Sequence, residues 1–429
     1  MSNFTSVIRN TLAQAGGKFA TLTLSLVVTS ILTRALGVEG YGHYTFITAF
    51  ILLFGNIADW GTNIISVREA SSNPDTQPKI FGSITLFRSI LVGFAILLAN
   101  IAIRLNPSWD TLAIPTTIAS VVLIGLSLKT SFGIVFQTKL RFDLSVWVEI
   151  LASSIFLIFI LVFPNGLNAV LYSWILSTFL ASILAFLLAS KLTKYIWVIN
   201  TAIVKKIFKE ALPAGALFLV FTIYNRIDTI ILQSFSGSDA VGIYGLAYKM
   251  HDNFVMGAAY FMNSLFPILS LSFSQKRLGE LKNIYQKSFD LLFVGSLVLF
   301  ISIFSLAPLL VNILGGSDFS ESVGVLRILL LATVIAYFNH LTGYSLIAFG
   351  KQRLSLAIAA TALTINVLAN WIFIPTFSYK AAAWITVATE GLVLLLSSIV
   401  VAKTIGMYPS LFSWPKTLLS LLTKRTVNI

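Results

Sequence analysis

The sequence predicts an all-α membrane protein of twelve transmembrane helices, arranged as two six-helix lobes related by pseudo-symmetry. Three observations predict this fold: the composition, the number of long apolar runs and an internal repeat. Apolar residues make up 57% of the 429 residues, charged residues make up 10%, and the mean hydropathy is +0.90. A soluble domain does not have this composition, so the chain is predicted to cross a membrane many times.

Each apolar run long enough to cross a hydrocarbon core of about 30 Å is predicted to be one helix. The connections between the runs are too short to contain a soluble catalytic domain. The first six runs lie near residues 11–33, 42–66, 80–103, 111–136, 143–163 and 168–190, and the second six near 211–235, 241–268, 286–314, 324–349, 354–376 and 380–402.

A short pattern of glycine, acid and tyrosine occurs twice in the chain, 200 positions apart. Its copies lie after the first and the seventh run, where we expect tight outer turns with glycine at positive φ. The repeat predicts a duplicated six-helix unit and a substrate path between the copies. The predicted divisions are lobes at 1–200 and 201–405 and a tail at 406–429. The repeated residues are Gly37, Glu39, Gly42 and Tyr44, followed by Gly237, Asp239, Gly242 and Tyr244.

The distribution of Lys and Arg predicts that both termini are cytoplasmic, because these cations resist transfer across the membrane. The predicted outer loops contain only Arg34, Arg104 and Lys380. The net charge of +13 is therefore interpreted as a topology signal, and no nucleic-acid partner is expected. The first run lacks a cleavage signature and is predicted to be a retained span. The tail after residue 406 has two interpretations, an interfacial helix or a loose segment.

The sequence contains no cysteine, which excludes disulfides and thiolate metal sites. It also lacks a phosphate-binding glycine-lysine loop and a pair of metal-binding histidines at helical spacing. We therefore expect no cofactor, no metal and no enzymatic activity.

The stretch from Thr33 to Ala70 resembles the N-terminal signature of the polysaccharide-export flippases, in the multidrug/oligosaccharidyl-lipid/polysaccharide exporter superfamily. A second match resembles the seventh and eighth spans of that family. The matching residues are Arg34, Leu36, Gly37, Gly40, Tyr41, Gly42, Tyr44, Asp59, Gly61, Arg68 and Glu69, followed by Tyr224, Arg226, Ile227, Asp228, Gly242, Tyr244, Ala247 and Tyr248.

The resemblance implies a flippase of the cytoplasmic membrane that moves oligosaccharides linked to undecaprenyl pyrophosphate, for the synthesis of polysaccharides such as O-antigen. It suggests exchange for protons and leaves another coupling cation open. It also leaves open contacts with other polysaccharide assembly proteins, besides the membrane lipids. It does not specify the sugar.

Cations inside predicted spans need water or a partner, because a buried charge is costly. Three of them, Lys18, Arg88 and Lys129, are predicted at a similar depth in the first lobe, where they could bind a pyrophosphate headgroup. Arg226 is the fourth candidate for substrate binding. The alternatives are structural pairing of these cations with Asp59 and Glu149, or snorkelling of Lys18 and Lys129 to the inner headgroups.

Titratable groups in the second lobe are candidates for proton coupling, since burial favours a neutral carboxyl and histidine titrates near working pH. The candidates are Asp228, Asp252, His340 and Glu390. For Asp252, pairing with Lys249 on the same helix face is the favoured alternative.

Two other functions remain open from the sequence. A cation-coupled multidrug exporter of the same superfamily would prefer an acidic, aromatic cavity, which the cation surplus disfavours. A membrane oligosaccharide polymerase or ligase is expected to have a large outer loop, and every predicted outer loop is short.

Overall fold

The computed structural model is built from α-helices joined by short turns, which confirms the predicted all-α fold. It describes residues 2–163 and 166–423, with side chains over 20–163 and 166–420. Three single turns of 3-10 helix lie at Pro74–Thr76, Pro107–Trp109 and Ser317–Phe319. The α-helices are α1 (Ser2–Asp59), α2 (Thr62–Ser72), α3 (Gln77–Ala102), α4 (Asp110–Ser120), α5 (Val122–Thr138), α6 (Phe142–Val162), α7 (Gly166–Leu192), α8 (Thr201–Ser274), α9 (Leu278–Gly315), α10 (Ser322–Ala348), α11 (Gln352–Ile405) and α12 (Trp414–Thr423).

Nine continuous helical stretches in the described part of the chain are long and apolar enough to cross a membrane. Three of them, containing α1, α8 and α11, have 53, 74 and 54 residues, more than twice the roughly 20 residues that one bilayer requires. Each of the helices α1, α8 and α11 contains one non-helical residue: Gly37, Gly237 or Ser378. If each break separates two spans, the nine stretches correspond to the twelve predicted helices.

The repeated glycines have two different structural roles. Gly37 and Gly237 adopt positive φ, 67° and 78°, as the sequence predicts, and each separates two helical segments. Gly42 and Gly242, one turn later, allow two helices to cross in direct contact. A methyl group on Gly42 would lie 1.8 Å from the carbonyl oxygen of Ser238, and one on Gly242 would lie 2.2 Å from that of Val38.

The chain divides into two compact units, Met1–Gly242 with Leu314–Gly316, and Ile243–Ile313 with Ser317–Ile429. Small and hydroxyl-bearing residues allow close helix contacts inside each unit. In the first, Ala181, Ala185 and Ala189 form a fully buried stripe on α7. In the second, Asn370 Nδ2 donates to Asn366 Oδ1 at 2.9 Å and Asn366 Nδ2 donates to Thr389 Oγ1 at 3.4 Å. The lobe boundary expected near residue 200 stays a prediction.

The connection between α7 and α8 is fastened to the start of α3. The amide of Ile196 donates to Pro78 O at 3.0 Å, and Ser83 Oγ donates to Val198 O at 2.7 Å. A methyl group on Gly82 would lie 1.9 Å from Ile196 O, so only glycine fits this contact. The first part of this connection is therefore docked on α3.

Candidate functional site

The candidate site begins where α1 ends and the chain turns into α2. Trp60 and Gly61 adopt positive φ, 42° and 72°, and Gly61 packs so closely on α8 that a methyl group there would lie 2.8 Å from the amide nitrogen of Gly215. The turn places the carboxylate of Asp59 at the start of α2. Its Oδ1 accepts from the amide of Asn63 at 3.1 Å and lies 3.3 Å from Thr62 Oγ1. The carboxylate thus satisfies an amide that would otherwise lack a helical partner.

Arg88 on α3 points its guanidinium at this carboxylate. Its Nη2 lies 3.4 Å from Asp59 Oδ1 and donates to Thr130 Oγ1 on α5 at 2.7 Å. The side chain of Arg88 is 1% exposed, whereas that of Asp59 is 34% exposed. Among the described residues, Nε and Nη1 of Arg88 have no hydrogen-bond partner. A buried guanidinium with two unused donors is expected to hold water or an anionic group.

Lys129 is paired with a carboxylate. Its Nζ lies 2.9 Å from Glu149 Oε1 and 3.1 Å from Oε2 on α6. The structure therefore contains both ion pairs that the sequence left open as the structural alternative. Lys129 precedes Thr130 on α5, and Thr130 accepts a hydrogen bond from Arg88 on α3. Arg88 and Lys129 therefore lie on adjacent helices, but each is paired with its own carboxylate. The backbone of Lys18 lies in α1, but its side chain falls outside the described residues.

The first unit also contains Arg226 and Asp228, two residues apart on α8. Arg226 is half-buried, and Asp228 is 3% exposed. The amide of Thr229 donates to Asp228 Oδ1 at 2.7 Å. The structure gives Asp228 the burial that a coupling residue requires, and its coupling role stays a prediction.

The second unit contains Asp252, His340 and Glu390, all half-buried. Nδ2 of Asn339 on α10 donates to Glu390 Oε2 on α11 at 2.6 Å and to the main-chain oxygen of Glu390 at 3.0 Å. His340 Nδ1 lies 2.9 Å from Ala336 O. A carbonyl oxygen only accepts, so Nδ1 carries the hydrogen and Nε2 is the nitrogen able to take up a further proton.

His251, one residue before Asp252, is 6% exposed and contacts Thr333 on α10. Its Nδ1 lies 2.8 Å from Thr333 Oγ1, and that hydroxyl donates its own hydrogen to Leu329 O at 3.0 Å. Nδ1 of His251 is therefore the donor of this bond. His251 thus resembles a satisfied structural histidine.

Sequence reasoning missed Thr130 and Asn339, the neutral partners of Arg88 and Glu390. It also missed an ion-pair network between α2 and the start of α8. Lys206 Nζ lies 2.7 Å from Glu69 Oε2, and Arg68 pairs with Glu210. Thr130 and Asn339 are uncharged, so a search for intramembrane charges does not find them. The ion pairs join residues more than 130 positions apart, and the sequence alone does not show that these residues are close. In the described part of the chain, no group of three acidic or histidine side chains is arranged to hold a metal ion.

Comparison with solved structures identifies the fold. The chain superposes on the lipid II flippase MurJ in an inward closed conformation with a TM-score of 0.75 and 14% identity, covering 98% of this chain and 94% of that one. An inward-facing multidrug resistance transporter of the MATE family, in the MOP superfamily, gives a TM-score of 0.70 and 16% identity, covering 95% and 96%. At these identities the similarity shows the fold alone.

Two curated relatives resemble the chain in sequence. The protein named "Putative O-antigen transporter" from Shigella dysenteriae is 25% identical over 335 residues, 75% of this chain and 81% of that protein. The capsular polysaccharide biosynthesis protein CapF from Staphylococcus aureus is 26% identical over 204 residues, 46% and 50% of the two chains.

Family models match both parts of the chain. The MatE model matches residues 213–372. The model described as "Polysaccharide biosynthesis protein" matches residues 7–273, more than half of the chain. Together with the all-helical membrane fold, this match shows that the chain belongs to the polysaccharide biosynthesis protein family, within the flippase and exporter superfamily that the sequence resembles.

Proposed function

We propose that this protein translocates oligosaccharides linked to a polyprenyl pyrophosphate, of the undecaprenyl type, across the cytoplasmic membrane for polysaccharide synthesis. The observation that carries the proposal is the buried guanidinium of Arg88 with two unused donors beside a single carboxylate. Supporting it, one relative is named for O-antigen transport, another for capsular polysaccharide synthesis, and a structural neighbour is a lipid II flippase.

The geometry at Arg88 suits a phosphate headgroup better than a cationic drug. A phosphate oxygen and a carboxylate oxygen are equivalent acceptors for a guanidinium. A pyrophosphate that enters the site can therefore accept hydrogen bonds from Nε and Nη1 of Arg88, and can compete with Asp59 for Nη2. In this mechanism Asp59 keeps Arg88 charged and oriented while the site lacks substrate. Lys18, Lys129 and Arg226 are the further candidate contacts for the headgroup.

After the headgroup is released, the protein must return to its starting conformation. We assign this step to proton exchange, with Asp228, Asp252, His340 and Glu390 as candidates, in an alternating-access cycle in which the lipid tail stays in the bilayer. The distribution of Lys and Arg supports cytoplasmic termini in this scheme. Another coupling cation, and contacts with other polysaccharide assembly proteins, remain compatible with this scheme.

A cation-coupled multidrug exporter is the second candidate function. The match of the MatE family model to residues 213–372 favours it, as does the half-buried carboxylate of Asp252 in that region. The buried Arg88 argues against it, since a cationic drug gains nothing from a guanidinium. A membrane polymerase or ligase has no such support among the relatives named above.

The test is translocation of a fluorescent polyprenyl-pyrophosphate oligosaccharide by the purified protein in proteoliposomes, with and without a proton gradient. We expect movement well above that of protein-free vesicles, and loss of most of it in Arg88→Ala at unchanged expression. Arg327→Ala is the matched control, because Arg327 is also a cation within a predicted span, but its guanidinium stacks on Phe304 at 4.7 Å.

Normal transport by well-expressed Arg88→Ala would remove Arg88 from the substrate site. Absence of movement for several sugar headgroups, combined with drug-driven proton flux, would instead establish the exporter function. Arg88→Lys distinguishes charge from shape: it keeps the charge but loses the planar fork, so we expect an intermediate rate.

A further inference from the structure

The segment that follows α11 packs against α9 through its polar side. Ser413 Oγ donates to Asp290 Oδ1 at 2.7 Å, and Thr417 Oγ1 donates to Asp290 Oδ2. The two hydroxyls lie four residues apart, which places them on one face of the short helix α12 and the turn before it. Asp290, at 1% exposed, receives both bonds in the interior of the second unit. This carboxylate therefore holds the tail in place.

Two further residues of α9, each one turn before the next, extend the attachment. Gln286 Nε2 donates to Asp290 Oδ1 at 2.9 Å and to Ser410 O at 3.0 Å, while the amide of Ser410 donates back to Gln286 Oε1 at 2.8 Å. Lys282 Nζ donates to Gly406 O at 3.2 Å. We call Lys282, Gln286 and Asp290 the α9 clasp. The clasp fixes residues 406–417, so this part of the tail is ordered on the protein.

The clasp leaves the apolar side of the tail facing outward. Phe412 is 87% exposed, Leu411 54% and Leu419 61%. An amphipathic helix on a protein in water packs the other way, with its apolar face inward. The inverted orientation is favourable only where the surroundings of the tail are themselves apolar.

Position and charge identify those surroundings. Gly406 ends α11 in a left-handed conformation, φ 67°, so the tail begins where a membrane-length helix stops. From residue 391 to the end, the sequence contains no Asp or Glu. Lys403 and Lys416 are exposed on this segment, and the carboxylate that contacts the tail, Asp290, is buried. A cationic, acid-free segment with outward aromatic residues matches the interface of an anionic bilayer.

We infer that residues 407–420 form a membrane-surface strap, which inserts Leu411, Phe412 and Leu419 into the interface of an anionic phospholipid leaflet while the α9 clasp holds its polar side. The leaflet is the one on the predicted cytoplasmic side. The strap ties the start of α9 and the end of α11 to the same membrane surface. This inference does not depend on the transported substrate.

The first experiment measures what covers Phe412. Because the chain contains no cysteine, a single cysteine can be placed and labelled with a fluorophore without removing others. Phe412→Cys is compared with Gln275→Cys, an exposed position in the connection between α8 and α9. Both are reconstituted in vesicles of phosphatidylcholine with phosphatidylglycerol. We expect lipid-attached nitroxides to quench the label at position 412 severalfold more than the label at 275, and iodide to show the reverse order.

Two results would overturn the lipid contact. Iodide quenching at position 412 equal to that at 275 would place the residue in water. Exclusion of both quenchers at 412 would show that protein, for example a second copy of the chain, covers the strap. The preference for anionic lipid is tested in pure phosphatidylcholine, where we expect weaker nitroxide quenching at 412 and no further effect of Lys416→Gln. Unchanged quenching would remove that part of the inference.

The clasp is tested from both sides of the contact. Asp290→Asn alters the acceptor, and the double substitution Ser413→Ala and Thr417→Val removes the donors without touching α9. We expect the fluorescence anisotropy of the label at 412 to fall in both. Ser420→Ala is the control, since that hydroxyl donates within the tail, to Thr417 O. Unchanged anisotropy in the tail-side double variant would show that the clasp does not hold the strap.

Discussion

Gly42 and Gly242 lie in direct contact, although 200 residues separate them in the chain. Their amide nitrogens face the positions that a side chain on the other residue would occupy: a methyl group on Gly42 would be 3.0 Å from Gly242 N, and one on Gly242 would be 3.3 Å from Gly42 N. Each glycine also meets the main-chain oxygen of the residue four positions before the other. The contact is therefore symmetric, as expected where equivalent helices of a duplicated unit cross.

Gly42→Ala is expected to destabilise the protein. The added methyl group meets the main-chain oxygen of Ser238 at 1.8 Å, and a main-chain atom of a helix moves only if the whole segment moves. Overpacking of this kind costs about 1–3 kcal/mol. The measurement is the midpoint of thermal unfolding in detergent. Gly133→Ala is the control, because nothing lies within 4 Å of a methyl group there. Equal midpoints for both variants would show that the crossing is loose.

The repeated glycines also show which features of the fold the sequence can predict and which it cannot. Their repetition predicts the duplication, and the turn at Gly37 follows from the need for positive φ after an apolar run. The crossing at Gly42 could not be predicted, because a close approach depends on which helix packs there and one sequence does not contain that information. The same holds for Arg88: its burial in a span is predicted, whereas Thr130, its neutral partner, becomes visible only when α3 and α5 are placed side by side.

Asp59→Asn is expected to make stability depend on added pyrophosphate. The substitution leaves the guanidinium of Arg88 buried without its carboxylate, which destabilises a folded protein by about 3–5 kcal/mol when both partners are fully buried. Here Asp59 is partly exposed, so we expect a smaller loss. Pyrophosphate can supply the missing negative charge, and should raise the unfolding midpoint of Asp59→Asn more than that of the parent protein.

The double variant with Arg88→Ala and Asp59→Asn is the control for this prediction. It lacks the guanidinium, so the additional effect of pyrophosphate should disappear. An equal shift in the single and double variants, or the same shift with sodium sulfate at matched ionic strength, would show that the anion acts elsewhere.

The ion pair between Glu69 on α2 and Lys206 on α8 is expected to make a small, salt-dependent contribution. Lys206 is 57% exposed and Glu69 is 15% exposed, so water screens the pair. A double-mutant cycle with Glu69→Ala and Lys206→Ala should give a small coupling energy that decreases in high salt. A coupling that persists in high salt would indicate that the network around Arg68 and Glu210 is shielded from solvent.

Asp228→Asn is expected to abolish the dependence of transport on a proton gradient. The substitution removes the charge and the titration, but it keeps an oxygen at Oδ1 that can still accept from the amide of Thr229. Folding should therefore change little, because the buried acceptor remains satisfied. The measurement is uptake of the lipid-linked oligosaccharide with an imposed pH difference and without one. Glu390→Gln, which keeps an acceptor for Asn339, is the comparison in the second unit. If uptake by Asp228→Asn still follows the gradient while uptake by Glu390→Gln does not, coupling belongs to Glu390, and Asp228 is a structural carboxylate that stabilises α8.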